Sequence, residues 1–184
     1  MNAREVALNL SANWFNLGYY DISKGREMPD FGNYPSESVW VVDNVRTMSG
    51  IETLTKKLKP DVVMIDFVQN VITEDRTEYE RMTNVAVSIQ NLAVSENVAI
   101  FDLSQVSNEG KDYTRGSVIP SKGSGALAHS ADIALVLTRD SKESFLSLHI
   151  AKNKFGRNNV ALYLKADYAK SAFTDNGEIN EAKF

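Results

Sequence analysis

The chain has 184 residues, a net charge of −4, 43% hydrophobic and 24% charged residues, and no cysteine. This length suits one well-packed domain or a large part of one, and the lack of cysteine excludes a disulfide framework and a thiolate zinc site. No apolar stretch approaches the roughly 20 residues that span a bilayer, and the N-terminus lacks a signal peptide. We therefore expect a protein of the reducing cytoplasm. Because a purely electrostatic nucleic-acid binder is usually basic, contact with nucleic acid must come from a local patch or an assembled ring.

The first third of the chain predicts two helices and a strand. Apolar residues at helical spacing predict a helix over 3–17,. Two prolines and two glycines predict a loop over 24–37, and the short apolar run 39–43 predicts a strand. Residues 49–58 suit a helix, with Ser49 as a candidate N-cap.

The middle of the chain alternates buried strands with a long helix. Residues 61–68 form an uninterrupted apolar run, which is typical of a parallel strand covered on both faces. The apolar stripe Tyr79, Met82, Ala86, Ile89 and Ala93 predicts a helix over 75–95,. A second buried strand follows at 98–105, and 106–123 is a polar loop rich in Gly, Ser and Lys,.

The last third predicts one or two helical turns at 124–130 and three strands, at 131–140, 145–153 and 159–166. Their hairpin-like spacing makes these final strands candidates for antiparallel pairing. The alternation of strand and helix before them predicts an α/β layered domain with a mostly parallel sheet.

Two polar residues follow the buried strands of this predicted sheet. Asp66 follows "VVMI" and Gln105 follows "AIFDLS". Ligands of such sheets bind beyond the carboxyl ends of the strands. An apolar strand ending in Asp is the Walker B pattern, in which the carboxylate holds the Mg²⁺ of a nucleotide, and a Gln nearby can reach a γ-phosphate or a water. The alternatives are a capping or solvated Asp66 and a Gln105 bonded to a loop backbone.

The blocks "VVMIDFVQNV", "IQNLAVSENVAIFDLSQVSNEG", "SGALAHSADIALVLTRD" and "LHIAKNKFG" resemble, in order and spacing, the C-terminal part of a DnaB-type replicative helicase. The resemblance covers roughly residues 60–160 and implies a three-layer RecA-like ATPase fold. "KNKFG" is also close to the "KNRFG" block of the RadA branch of that fold, so the branch stays open.

The resemblance implies a role for each matching polar residue. Asp66 takes the Walker B role and is the Mg²⁺ ligand, and Gln105 is the γ-phosphate sensor. Lys152 and Lys154 fall where the family carries a Lys and an arginine finger that reach a neighbouring subunit's ATP. Lys154 cannot make the planar bidentate contact of an arginine, and Arg157 is the candidate substitute.

The resemblance also implies partners. The segment with Lys122, Gly123 and Gly125 matches the loop that holds the backbone of single-stranded DNA in the channel of a hexameric ring. ATP and Mg²⁺ are the implied cofactors. Same-type subunits and a primase are the implied protein partners, in a bacterial or phage-infected cell.

The phosphate-loop motif G-x-x-x-x-G-K-[ST] has no match in the sequence,. The nearest stretch, "GSVIPSKGS" at 116–124, has Ser121 at the second glycine position and lies after Asp66. In the resemblance, Met1 follows the position of the family's catalytic Glu, so we expect an N-terminally truncated single domain over 1–184. A split gene, a truncated expression product and a downstream start codon are the competing explanations, and a separate half-chain with the phosphate loop is an implied partner.

Two functions follow from these observations. The first is the C-terminal portion of a hexameric, ATP-dependent DNA helicase motor that translocates on single-stranded DNA and is inactive without its other half. The second is a non-catalytic RecA-like module that binds a motor subunit or DNA.

Overall fold

The computed structural model describes residues 2–30, 38–105, 125–139 and 145–181. The helices are α1 (Ala3–Trp14), α2 (Tyr19–Ser23), α3 (Met48–Leu58), α4 (Glu78–Glu96) and α5 (Ala126–Ser130). The strands are β1 (Val62–Ile65), β2 (Ala99–Asp102), β3 (Ile133–Arg139), β4 (Leu146–Asn153), β5 (Val160–Asp167) and β6 (Ala172–Glu181). A short 3₁₀ helix, Val68–Asn70, follows β1. No helix in these ranges is both long enough and apolar enough to cross a membrane.

The chain divides into two compact units. The first comprises Met1–Asn44, Arg139–Ser147 and Leu162–Ile179, and the second comprises Val45–Thr138, Leu148–Ala161 and Asn180–Phe184. In the first unit, α1 begins with a capping box between Asn2 and Glu5 and packs against α2. Hydrogen bonds from Asn13 Nδ2 to the Ser171 carbonyl (3.3 Å) and between Ser171 Oγ and Asn9 Oδ1 (2.6 Å) attach α1 to the turn before β6.

The second unit is built around the parallel strands β1 and β2, which pair in register from Val62↔Ala99 to Ile65↔Asp102. The long α4 connects them and packs on α3, α5 and β2. Such a crossover is what parallel pairing requires. The helix begins at a capping box formed by Thr77 and Glu80 and ends at Asn97, which adopts the left-handed conformation (φ 50°),.

The core of the second unit lies between α4 and one face of the strand pair. Its buried members are Ile65, Val68, Val71, Met82, Val85, Ala86, Ile89 and Leu127. The predicted α4 stripe is confirmed at Met82, Ala86 and Ile89 and wrong at Tyr79, which is 66% exposed, while Val85 and Leu92 are buried instead. Because α4 contacts α3 and α5 as well as β2, its buried face is wider than one apolar stripe,.

Two local predictions are corrected. Residues 39–43 form no strand, and Val39, Trp40 and Val42 are exposed, because β propensity needs a partner strand before it produces structure. Helix α3 begins one residue earlier than predicted, and Thr47 rather than Ser49 is its N-cap, since Thr47 Oγ1 accepts the Gly50 N–H (3.2 Å).

Strands β3 to β6 form a four-stranded sheet in sequential order. Each is joined to the next by a connection much shorter than the dozen or more residues that a parallel crossover needs, so neighbouring strands run antiparallel. The prediction of hairpin-like strands at the C-terminal end is therefore confirmed, and β6 is an addition to the predicted set.

Candidate functional site

The carboxyl ends of β1 and β2 lie at the same edge of their sheet. Asp66 directly follows β1 and Gln105 lies three residues after β2, and both side chains are exposed. The ladder continues past the strands, because the Leu103 N–H donates to the Ile65 carbonyl (3.0 Å). The peptide bond between Asp66 and Phe67 is cis. The structure thus brings together the ends of the two strands from which Asp66 and Gln105 were predicted to act.

Gln69, which no sequence pattern marked as functional, joins the two strand ends. Its side-chain Nε2 donates to Ser104 Oγ (2.8 Å), and its Oε1 accepts the backbone N–H of Gln105 (3.3 Å). The sequence holds one signal for this residue. Gln69 is a side-chain amide three residues after Asp66, just past the end of one apolar strand, as "LSQ" is just past the end of the other.

The segment that carries Gln69 is anchored from several sides. Val68 is fully buried and Val71 is 3% exposed. The Val68 N–H donates to the Leu103 carbonyl (2.9 Å), and Arg81 Nη1 of α4 donates to the Gln69 carbonyl (3.3 Å). Gln69 is therefore held by the core below it and by α4 beside it.

Asp102, an acid at the end of β2, was not predicted from the sequence as a site residue. It pairs with Ile65 in the register, and because side chains alternate along a strand it faces the same side as Ile100, which packs on the core,. Burial raises the pKa of the Asp102 carboxyl, and a hydrogen bond to its own backbone opposes that shift,.

Lys152 lies on β4 and contacts α5. Its Nζ donates to the carbonyls of Ala128 (3.1 Å) and His129 (2.6 Å). These carbonyls belong to the last turn of α5, where a cation offsets unpaired acceptors and the partial negative charge of the helix end. In the chain by itself, Lys152 therefore caps a helix.

Lys154 is linked twice to Asp132. Its Nζ forms an ion pair with Asp132 Oδ1, and its backbone N–H donates to the Asp132 carbonyl (3.0 Å). Both side chains are about half exposed. Arg157 lies at the exposed turn between β4 and β5, and its carbonyl accepts a hydrogen bond from Asn153 Nδ2 (3.2 Å).

The predicted DNA-binding segment is described at one residue. Gly125 is exposed and precedes α5, and a Cβ added there would meet no atom within 4 Å. Lys122 and Gly123 lie outside the described residues, as does the whole of the predicted loop 106–123.

Among the described residues, no group of three or more His, Asp or Glu side chains is arranged to hold a metal ion. A site for Mg²⁺ with a nucleotide needs no such group, since one or two carboxylates, substrate phosphates and water complete the shell. Asp66, exposed at a strand end, fits that donor set.

A family model for the DnaB-like helicase C terminal domain matches residues 31–173. The chain belongs to this family. The resemblance predicted from the sequence blocks is thereby confirmed. Both branches appear among similar proteins: the DNA repair protein RadA of Streptococcus pyogenes is 26% identical over 164 residues, covering 84% of this chain and 34% of RadA. The replicative DNA helicase DnaB of Treponema pallidum is 25% identical over 115 residues, covering 61% of this chain and 26% of DnaB.

Solved structures place this DnaB-like chain in the RecA-like fold. It is similar to a solved ATPase domain, with a TM-score of 0.79, 18% identity, and coverage of 95% of this chain and 71% of that one. It is also similar to a DnaB-like replicative helicase studied with its primase, with a TM-score of 0.78, 19% identity, and coverage of 94% and 48%. The α/β, RecA-like prediction is confirmed. The chain spans about a third of the length of the curated RadA relatives it matches.

Proposed function

We propose that this DnaB-like chain forms the Walker B portion of a hexameric motor that couples ATP hydrolysis to translocation on single-stranded DNA. The observation that carries the proposal is the placement of Asp66 and Gln105 at the carboxyl ends of two neighbouring parallel strands. That edge is where α/β sheets bind nucleotides, and these residue types are the ones that hold Mg²⁺ and orient the attacking water in nucleotide hydrolysis.

Each of the two residues has one task in this proposal. The Asp66 carboxylate holds Mg²⁺, which when bound neutralises charge on the phosphates. The Gln105 amide orients water against the γ-phosphate.

The face of the β1–β2 pair opposite the core supports the proposal that a partner polypeptide carries the phosphate loop. Residues paired across parallel strands share a face, so Val62, Met64 and Phe101 lie opposite the core, and they are 52%, 66% and 54% exposed. Parallel sheets are normally covered on both faces. We infer that the phosphate-loop half of the RecA-like domain, with its helix, covers this face and that the chain by itself hydrolyses little or no ATP.

Lys154 and Arg157 are proposed to act on the ATP of a neighbouring subunit. The present partner of Lys154 does not prevent this, since an exposed ion pair contributes only about 0–1 kcal/mol and can be exchanged for a phosphate. Lys152 already donates two hydrogen bonds to the last turn of α5. If Lys152 also binds a neighbouring nucleotide, it links that nucleotide to α5, which directly follows Gly125 of the proposed DNA-binding segment.

The test is ATP hydrolysis by the chain assembled with a polypeptide that supplies the phosphate-loop half. Asp66→Asn should lower kcat by about 10²–10³-fold, as removal of one transition-state-stabilising group does. The matched control is Asp61→Asn, an exposed acid before the amino end of the same strand, and it should hydrolyse at the unmodified rate. Equal rates for the two variants would contradict the Walker B role.

Mixed rings test the trans-acting cations. Rings of Asp66→Asn subunits or of Lys154→Ala subunits should each be nearly inactive, while rings mixed from both should recover part of the activity. In a mixed ring, an Asp66→Asn subunit supplies its intact Lys154 to the intact Asp66 site of its neighbour. Absence of recovery, with ring formation verified, would contradict a role in trans. The same experiment is repeated with Arg157→Ala.

A non-catalytic binding module is the second candidate, favoured by the lack of a phosphate-loop motif in the printed sequence. It predicts that the unmodified assembly binds single-stranded DNA or a motor subunit and shows no turnover above that of Asp66→Asn.

A further inference from the structure

We propose that Gln69 is a positioning residue that fixes the γ-phosphate sensor Gln105 relative to the Walker B residue Asp66. This inference rests on the proposed function for its consequence in catalysis. Its geometric basis is independent of that function. The hydrogen bonds of Gln69 lie within the second unit and form in the chain by itself, without nucleotide or a neighbouring subunit.

Both polar atoms of the Gln69 side-chain amide form hydrogen bonds with the segment that follows β2. The backbone N–H of Gln105 can only donate, so Oε1 must face it, and Nε2 then faces Ser104 Oγ,. A flipped amide would place two donors against each other. The orientation is thus determined by the contacts, and Gln69 makes one specific bridge across the strand ends.

Gln69 lies close to Asp66 in the chain, and its backbone is held by contacts with the core and with α4. Gln69 is three residues from Asp66, and its 3₁₀ helix is fixed by buried Val68 and by the bond from Arg81 to its carbonyl. On the other side it ends at the backbone of Gln105 itself. Movement of Gln105 away from Asp66 therefore requires these hydrogen bonds to break.

Such a bridge matters because Gln105 lies three residues beyond the last paired residue of β2. The parallel ladder ends near Leu103, so the position of Gln105 depends on other contacts. A reacting group displaced by about 1 Å can lose about 10²-fold in rate. The expected consequence of losing Gln69 is a lower kcat with little change in the KM for ATP.

Gln69→Met tests the bridge, because methionine keeps an unbranched side chain of similar length and removes both hydrogen bonds. Gln90→Met, at an exposed position on α4, is the matched control. In the full chain by itself, hydrogen exchange at the Gln105 amide should accelerate in Gln69→Met and stay unchanged in Gln90→Met. Unchanged exchange in Gln69→Met would overturn the bridge.

In the assembled motor, Gln69→Met should lower kcat by about 10–100-fold. In a protein that already carries Gln105→Ala, adding Gln69→Met should lower kcat little further. A residue that acts through Gln105 gives such non-additive losses, whereas a merely structural residue gives losses that multiply. An unmodified rate in Gln69→Met, or multiplying losses in the double variant, would overturn the positioning role. If the unmodified assembly has no turnover, the proposed function fails, and the exchange experiment still decides the bridge.

Discussion

Replacing Lys152 with methionine separates its contact within the chain from its proposed role in a neighbouring subunit. Methionine retains an apolar stem and removes the ammonium that donates to the Ala128 and His129 carbonyls. We expect Lys152→Met to destabilise the chain by itself, before any ring is formed, because two acceptors at the end of α5 lose a charged donor.

The magnitude follows from the two contacts. A hydrogen bond to a charged group contributes about 1.5–3 kcal/mol, and a cation at an exposed helix C-terminus about 0.3–1 kcal/mol. Lys152 is half-buried and water can replace part of what is lost, so we expect a loss of about 1–3 kcal/mol in the free energy of unfolding. With a urea dependence of about 2 kcal/mol per molar, the midpoint should fall by about 1 M.

The assay is urea unfolding followed by far-UV circular dichroism, together with hydrogen exchange at the amides of His129 in α5 and of Ala131 just after it, which donate to the carbonyls of Gly125 and Leu127. Lys165→Met, at an exposed position on the neighbouring strand β5, is the control. Coincident midpoints and exchange rates for the two variants would refute the capping role of Lys152.

Three further predictions concern the second unit of the chain. Because burial raises the pKa of Asp102, the folded chain keeps this proton at pH values where the unfolded chain has lost it. Stability should therefore fall as pH rises from the unfolded pKa through the folded pKa. Asp102→Asn should abolish this fall in stability and be the more stable protein at neutral pH. The measurement is the urea midpoint at several pH values across this range, and the same dependence on pH for both proteins would contradict the prediction. Thr77→Ala should cost about 0.5–2 kcal/mol, because Thr77 and Glu80 cap α4 reciprocally, and thermal unfolding beside Thr53→Ala, an exposed threonine within α3, measures the difference. Met82→Ala should cost about 2–5 kcal/mol, since Met82 is fully buried against the core, and a loss like that of an exposed Met64→Ala would show that the core is elsewhere.

The sequence determined the features whose signals are local. A continuous apolar run predicted β1, and residues at helical spacing predicted α4 with Met82, Ala86 and Ile89 buried. Two polar residues after apolar runs predicted the strand-end site, because parallel strands that share a crossover helix end at the same edge. The family blocks added the RecA-like fold, which the comparisons confirm.

Tertiary structure decided every feature that depends on a distant partner. Residues 39–43 have strand propensity and no strand, because pairing is a property of two segments. Gln69 meets Gln105 across 36 positions of sequence, and Lys152 reaches His129 across 23, so no local pattern marks either contact. Asp102 is half-buried because the register turns it toward the core. Hydrogen-bond partners and desolvation are set by which segments pack together, and only the folded chain brings those segments into contact.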